Sequence, residues 1–221
     1  MELILVRHGE SLHNIKAVTS WDSELSIIGK EQVRLVGEVL LNEQVDEIWC
    51  SPMQRALETA QILSSKTQAS ARAFVHLSEH GHGWEENGLS RSFIENQYPL
   101  IRLPSEIDED GWARHWNHES RSDLYRRMGY IADQITKVAA SKRLKKLVVV
   151  IHGKSGTELL KHLLQIPEDA NYYFRMFNCG ITRLYLNLET NERTVICMND
   201  ISHLGDLVQM KNLSRSVPRY R

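Results

Sequence analysis

The sequence predicts an α/β fold: a three-layer α/β/α domain whose mostly parallel central sheet carries helices on both faces, with an inserted lid region. Three observations carry that expectation. Two short runs, Leu3-Ile4-Leu5-Val6 and Leu147-Val148-Val149-Val150-Ile151, are apolar at every position, as strands buried on both faces are. Each closes on a histidine and a glycine, His8-Gly9 and His152-Gly153, so each delivers polar groups to its C-terminal edge. Stretches with helical periodicity lie between them, the alternation typical of α/β proteins. In open α/β sheets that edge is where ligands bind, and glycine there lets backbone amides approach an anion closely.

In chain order, the first strand is followed by a polar loop over residues 11–24 that carries Asn14, Ser20, Trp21 and Asp22. Residues 29–41 read as a helix with Leu35, Val36, Val39 and Leu40 as its apolar stripe. Residues 45–49 form a second strand. Ser51 caps the next helix and Pro52 occupies its first turn, with Met53, Ala56, Leu57, Ala60 and Leu63 buried. Arg55 then falls beside the free amides and the positive end of the helix dipole, where an anion is drawn. Residues 73–77 read as a short strand and 78–86 as a loop broken by glycine and histidine. Residues 88–119, with Pro99, Pro104 and an acidic patch at 106–110, read as a lid or insertion rather than core.

Leu124, Met128, Ile131, Ile135 and Val138 alternate spacings of four and three, which predicts a long helix ahead of a basic end at 142–146. Residues 147–151 are the most clearly buried strand. Residues 155–164 are helical and stop before Pro167. Residues 179–188 and 193–198 read as two strands joined by a turn at 189–192, a hairpin at the sheet margin, and 199–221 as a peripheral tail.

With 221 residues and 42% hydrophobic content the chain can bury a substantial core as one domain, and no Gly/Ser/Pro-rich linker divides it. A net charge of −1 gives no global reason to expect nucleic acid or a membrane surface, so an anion site must be a local cluster of the 27 lysines and arginines. Cys50, Cys179 and Cys197 lack metal-ligand spacing and argue against a disulfide framework; they look like packing residues in a reducing compartment. No basic leader precedes a long apolar core, and no run approaches the roughly 20 apolar residues that span a bilayer. The expectation is a soluble cytoplasmic protein without nucleic-acid or membrane partners; its oligomeric state is not legible.

Two strands ending in His-Gly, a helix starting near Arg55 and the glycine-bracketed Glu79 can place two imidazoles, two guanidiniums and a carboxyl in one cleft. That combination suits phosphoryl transfer. Arginines match phosphate oxygens, a neutral histidine can attack phosphorus, and a carboxylic acid can protonate the leaving oxygen. No metal and no cofactor is required. Histidines 76, 80 and 82 raise a metal site as an alternative, weakened because no cysteine or second carboxylate cluster accompanies them.

These pieces resemble the histidine phosphatase superfamily, also called the phosphoglycerate mutase-like family, over most of the chain. Arg7-His8-Gly9-Glu10 with Asn14 resembles the family's Arg-His-Gly box, and Asp22-Ser23-Glu24-Leu25-Ser26 with Gly29 and Gln32 the segment after it. Ser51-Pro52 with Arg55-Ala56 and Thr59-Ala60 resembles the second arginine motif. Leu77-Ser78-Glu79, the later Gly83-Trp84-Glu85, Glu119-Ser120, His152-Gly153, the segment 178–184 and Asn199-Asp200 with His203-Leu204 follow in the family's order.

The resemblance implies His8 as the nucleophile that becomes phosphorylated, with Arg7, Arg55 and His152 holding the phosphoryl group and Glu79 as general acid and base. Asn14, Ser20 and the Gly153 amide are implied as further phosphate contacts. Two departures matter. One residue is missing between Gly83 and Trp84, which makes Glu85 the fallback acid, and no Arg-Arg-Ser-Tyr-Asp block like that of the cofactor-dependent mutases is present. The reading is therefore a metal-independent phosphatase acting on a small phosphate ester. The alternatives are mutase-type phosphoryl transfer and a non-catalytic phospho-ligand binding domain.

Overall fold

The computed structural model describes residues 1–81, 87–113 and 118–208. At its centre lie β1 (Glu2–Arg7), β2 (Glu47–Cys50), β3 (Ser70–Ala73), β4 (Ile101–Arg102), β5 (Lys146–Ile151), β6 (Ile181–Leu186) and β7 (Arg193–Asp200). They form one sheet in the order β4-β3-β2-β5-β1-β6-β7. The first five in that order are parallel, and β6 runs antiparallel to both β1 and β7. The helices are α1 (Ile27–Leu40), α2 (Gln54–Thr67), α3 (Arg91–Gln97), α4 (Arg121–Lys142) and α5 (Gly153–Leu163).

The pleat sends successive side chains to opposite faces. Ile4, Val6, Ile48, Cys50, Val148 and Val150 join a core with Val33, Val36 and Leu40 of α1 and Ala56, Leu57 and Leu63 of α2. Leu3, Leu5, Trp49, Leu147, Val149 and Ile151 join the opposite core with Met128 and Ile131 of α4 and Leu159 and Leu163 of α5. Because helices cover both faces, the middle strands are apolar at every position, and the expected three-layer architecture follows.

Several boundaries differ from the sequence expectation. The buried face of α1 is Val33, Val36, Gly37 and Leu40, while Val39 is exposed; two adjacent apolar pairs fit either of two neighbouring stripes, and the sheet selects one. The second helix begins at Gln54 with Met53 as its cap residue; Ser51 Oγ accepts from the Met53 N–H at 3.2 Å, and the Gln54 N–H is taken by Asp22 Oδ1 at 2.7 Å. A third strand ends at Ala73, and Val75–Leu77 is a 3₁₀ turn.

The largest correction concerns the region expected as a lid or insertion, whose described residues 88–113 do not stand apart from the core. Ile94, Tyr98, Ile101, Ile107, Trp112 and Ala113 are buried in the α1/α2 face, and β4 extends the sheet beside β3. The polar and proline-rich composition hides these few well-spaced apolar anchors. At the other end, β7 continues to Asp200, and a 3₁₀ turn over Ser202–Leu207 buries Leu204.

Candidate active site

β1 and β5 lie side by side, and their register pairs Arg7 with Ile151. The His-Gly that follows each strand therefore leaves the sheet at the same level, and the His8 N–H extends the ladder to the Ile151 carbonyl at 3.1 Å. Beyond this point β1 leads to α1 on one face and β5 to α5 on the other, which opens a crevice at the switch point of the sheet. The rings of His8 and His152 face each other across it, 5.0 Å between centroids. Since β6 runs antiparallel to β1, the segment leading into β6 reaches the same edge.

His8 is 2% exposed, and its hydrogen bonds define its tautomer. Its Nδ1 lies 2.7 Å from the Gly9 carbonyl, which can only accept, so Nδ1 carries the proton. Its Nε2 receives the Arg55 Nε–H at 3.2 Å, so Nε2 carries the lone pair. Burial pushes the His8 pKa well below the usual imidazole range, and the charges of Arg55 and Arg7 push it further. Arg55 is anchored by donation to the Trp21 carbonyl at 2.8 Å, and Arg7 to that of Met176 at 2.7 Å.

Three buried polar groups around His8 have no protein partner among the described residues: Arg7 Nε and both ring nitrogens of His152. Buried polar atoms are almost always paired, so their convergence marks a place for a polar ligand. His152 is also held neutral, by burial first and then by Arg55, His8 and Arg7. One crevice thus combines a neutral imidazole lone pair, a second neutral imidazole and two guanidiniums.

Glu79 enters from the side of β3. Its carboxylate lies across the N-terminus of α5, where Oε1 accepts from the His80 and Ser155 N–H groups, both at 2.9 Å, and Oε2 from that of Lys154 at 3.1 Å. Its charge acts on both Arg7 and Arg55, which places it with the cationic cluster. Gly153 stands beside it: a Cβ there would lie 3.8 Å from both Glu79 Oε2 and the Tyr173 hydroxyl.

The structure brings together His8, Arg7, Arg55, His152, Glu79 and Gly153. Asn14 joins at one remove, since Asn178 Nδ2 donates to its Oδ1 at 3.1 Å and to the His8 carbonyl at 3.0 Å. Ser20 turns its hydroxyl to the Asp22 carbonyl at 3.2 Å, within its own loop. His76 stacks on Tyr130 and His80 Nε2 faces the Glu119 carbonyl at 2.8 Å, so these two imidazoles face different partners. His82 and the fallback acid Glu85 lie outside the described residues.

Sequence reasoning gave no role to Thr59, Tyr173, Asn178 or Arg127. Thr59 Oγ1 accepts the Gly9 N–H at 3.2 Å while donating to the Arg55 carbonyl at 2.7 Å, tying the two motifs together. Tyr173 sits in an aperiodic segment with no local signal, and Asn178 entered only as the first residue of the segment 178–184, with no role of its own. Arg127 had one: it falls on the same helical face as Leu124, Met128 and Ile131, where a solvated arginine does not belong.

Among the described residues no helix is long and apolar enough to cross a membrane. The probable phosphoglycerate mutase GpmB of Yersinia pestis is 29% identical, with 83% of this chain and 84% of the relative covered. Among solved structures, the α-ribazole phosphatase of Shigella flexneri superposes with a TM-score of 0.67 at 21% identity, over 90% of this chain and 96% of that one. The phosphoserine phosphatase of Entamoeba histolytica, in complex with 3-phosphoglyceric acid, gives 0.65 at 21%, over 92% and 98%. At these identities the structures establish the shared fold. The family description that matches residues 3–201 is that of branch 1 of the histidine phosphatase superfamily, and to that superfamily the chain belongs.

Proposed function

We propose that this protein hydrolyses a small phosphate monoester through a phosphohistidine on His8. The observation that carries the reading is the state of His8: a buried imidazole with its proton fixed on Nδ1 and its Nε2 lone pair turned to Arg55. A substrate phosphoryl group enters between His8, Arg7, Arg55 and His152, and Arg55 Nε–H moves from Nε2 to a phosphoryl oxygen. The Nε2 lone pair bonds to phosphorus as the ester P–O bond breaks. The leaving oxygen keeps that electron pair and takes the proton of Glu79. Water then attacks the phosphohistidine and gives its proton to the Glu79 carboxylate, and the P–N electron pair returns to Nε2.

Two arginines supply the positive charge this transition state needs, with the Gly153 N–H as an added donor, so the reaction is expected to run unchanged in a chelator. The Gly153 N–H is the nearest further phosphate contact; Asn14 contributes through Asn178, and Ser20 contributes only once its hydroxyl leaves the Asp22 carbonyl. The region from residue 79 to residue 119 selects the substrate. A reducing cytoplasmic setting belongs to this reading, on the sequence pattern of three cysteines, odd in number and without metal-ligand spacing.

The test is trapping: labelled substrate leaves acid-labile label on the protein, and none on His8→Ala. Label persisting in His8→Ala overturns the assignment. A second reading, phosphoglycerate mutase-type transfer, is favoured by the name of the Yersinia relative. A panel of phosphometabolites assayed for both released phosphate and isomer separates the two; isomer formed without phosphate release makes the chain a mutase.

A further inference from the structure

We infer that Arg127, paired with Glu119, is a positioning residue for the acid: it fixes the backbone of residues 76–81 and thereby the direction of the Glu79 carboxyl. The inference rests on the reading of Glu79 as general acid. Both side chains are buried, each 3% exposed, and they form a bidentate pair, Arg127 Nε to Glu119 Oε1 at 2.6 Å and Nη2 to Oε2 at 2.7 Å. Among the described residues, the remaining donors go to the segment that carries Glu79. Nη1 donates to the carbonyls of His76 at 2.6 Å and Ser78 at 2.8 Å, and Nη2 to that of Glu79 itself at 3.3 Å. Five bonds match the five N–H donors of a guanidinium.

Glu119 holds the far side of the same segment. Its Oε2 accepts the Gly81 N–H at 3.2 Å, its own N–H donates to the Gly81 carbonyl at 3.0 Å, and its carbonyl faces His80 Nε2. The residues flanking Glu79 are therefore tied to α4 and its approach, while the Glu79 carboxylate is tied to the first turn of α5. A buried ion pair is a poor source of stability, since desolvation offsets most of its Coulombic attraction. Its geometric yield here is three carbonyls converged on one planar fork, which lysine's point charge does not reproduce. Loss of the fork leaves those carbonyls unpaired, and a displacement of about 1 Å in a catalytic group can cost about 10²-fold in rate.

The test compares kcat/KM, which covers the steps up to phosphohistidine, for an alkyl phosphate and for 2,4-dinitrophenyl phosphate, whose leaving group needs no proton. Glu79→Gln is expected to lose about 10²-fold or more on the alkyl ester and far less on the dinitrophenyl ester. Arg127→Met is expected to show the same selectivity, with about 10- to 100-fold loss on the alkyl ester. In Glu79→Gln/Arg127→Met the selective part is expected not to grow. Should Arg127→Met fail to fold, Arg127→Lys and Glu119→Gln carry the same comparison. If Glu79→Gln is selective while the Arg127 and Glu119 variants lose equally on both esters, or lose nothing, the positioning role is wrong and the acid assignment stands. If Glu79→Gln is itself unselective, the acid assignment fails and takes the positioning role with it.

Discussion

At the scale of single residues, the geometry around His8 separates charge from nucleophilicity. In the proposed reaction Arg7 and Arg55 attract a phosphate dianion, and the same two charges, after burial itself, keep His8 unprotonated. His152 shares this state for the same leading reason, burial, again with Arg55 next. NMR titration of the ring resonances is expected to show both imidazoles taking up their proton well below the ordinary value of 6.5. A free-histidine titration curve for His8 would contradict the geometry. Arg55 has a second duty in the proposed reaction, because its Nε–H occupies the place on Nε2 that phosphorus would take. Arg55→Lys retains the charge and loses the fork, and we expect kcat/KM to fall by about 10²-fold, with the protein folded by circular dichroism.

At the scale of elements, the site depends on how closely β1 and α1 approach. The Glu10 N–H donates to Gln32 Oε1 at 2.9 Å, Ser26 Oγ donates to Glu10 Oε1 at 2.6 Å, and the Ser26 N–H donates to the Glu10 carbonyl at 2.8 Å. The approach leaves no room for a side chain: a Cβ on Gly29 would lie 2.0 Å from the Glu10 oxygen, and one on Gly9 would lie 2.6 Å from the Gly29 oxygen. Backbone atoms cannot swing aside as a flexible side chain does. Gly29→Ala is therefore expected to cost about 3 kcal/mol in urea unfolding, at the upper end for overpacking. It should also disturb the Gly9 carbonyl that sets the His8 tautomer, and an unchanged midpoint would show that the turn yields more easily than its contacts imply.

The helices that flank the site are legible in the sequence to different degrees. The long α4 shows its period in apolar residues alone, and its start carries a capping box of Ser120 and Asp123. α2 hides its start, because Asp22, more than thirty residues earlier, supplies the acceptor for the Gln54 N–H and Ser51 caps nothing in the helix itself. A cap from a distant loop has no local signature.

At the scale of the whole molecule, burying two neutral imidazoles couples the site to stability. Below the ordinary value of 6.5 the unfolded chain protonates His8 and His152 while the folded chain does not, so the unfolded state binds more protons. Stability is then fully present above pH 6.5 and falls as the pH drops through 6.5 toward the folded values, by up to about 1.4 kcal/mol per pH unit for each histidine. His76, His80 and His203 are shifted in the same direction, burial leading in each, and reinforce the trend. Urea midpoints between pH 7.5 and 5.5 measure it; a flat profile that steepens in His8→Gln would reverse the sign.

By itself the sequence determined the middle of the sheet, the two His-Gly edges and the chemistry gathered at them. Strands covered on both faces must be apolar throughout, and a strand that ends at a ligand must end in groups that ligand needs; both demands are written in consecutive residues. Only the tertiary structure decided that β1 and β5 are neighbours in the register that sets His8 against His152, that residues 88–113 contribute core and an edge strand, and that Glu79 is held from both α4 and α5. Those are pairings between segments far apart in the chain. Their energies belong to contacts that no local pattern encodes.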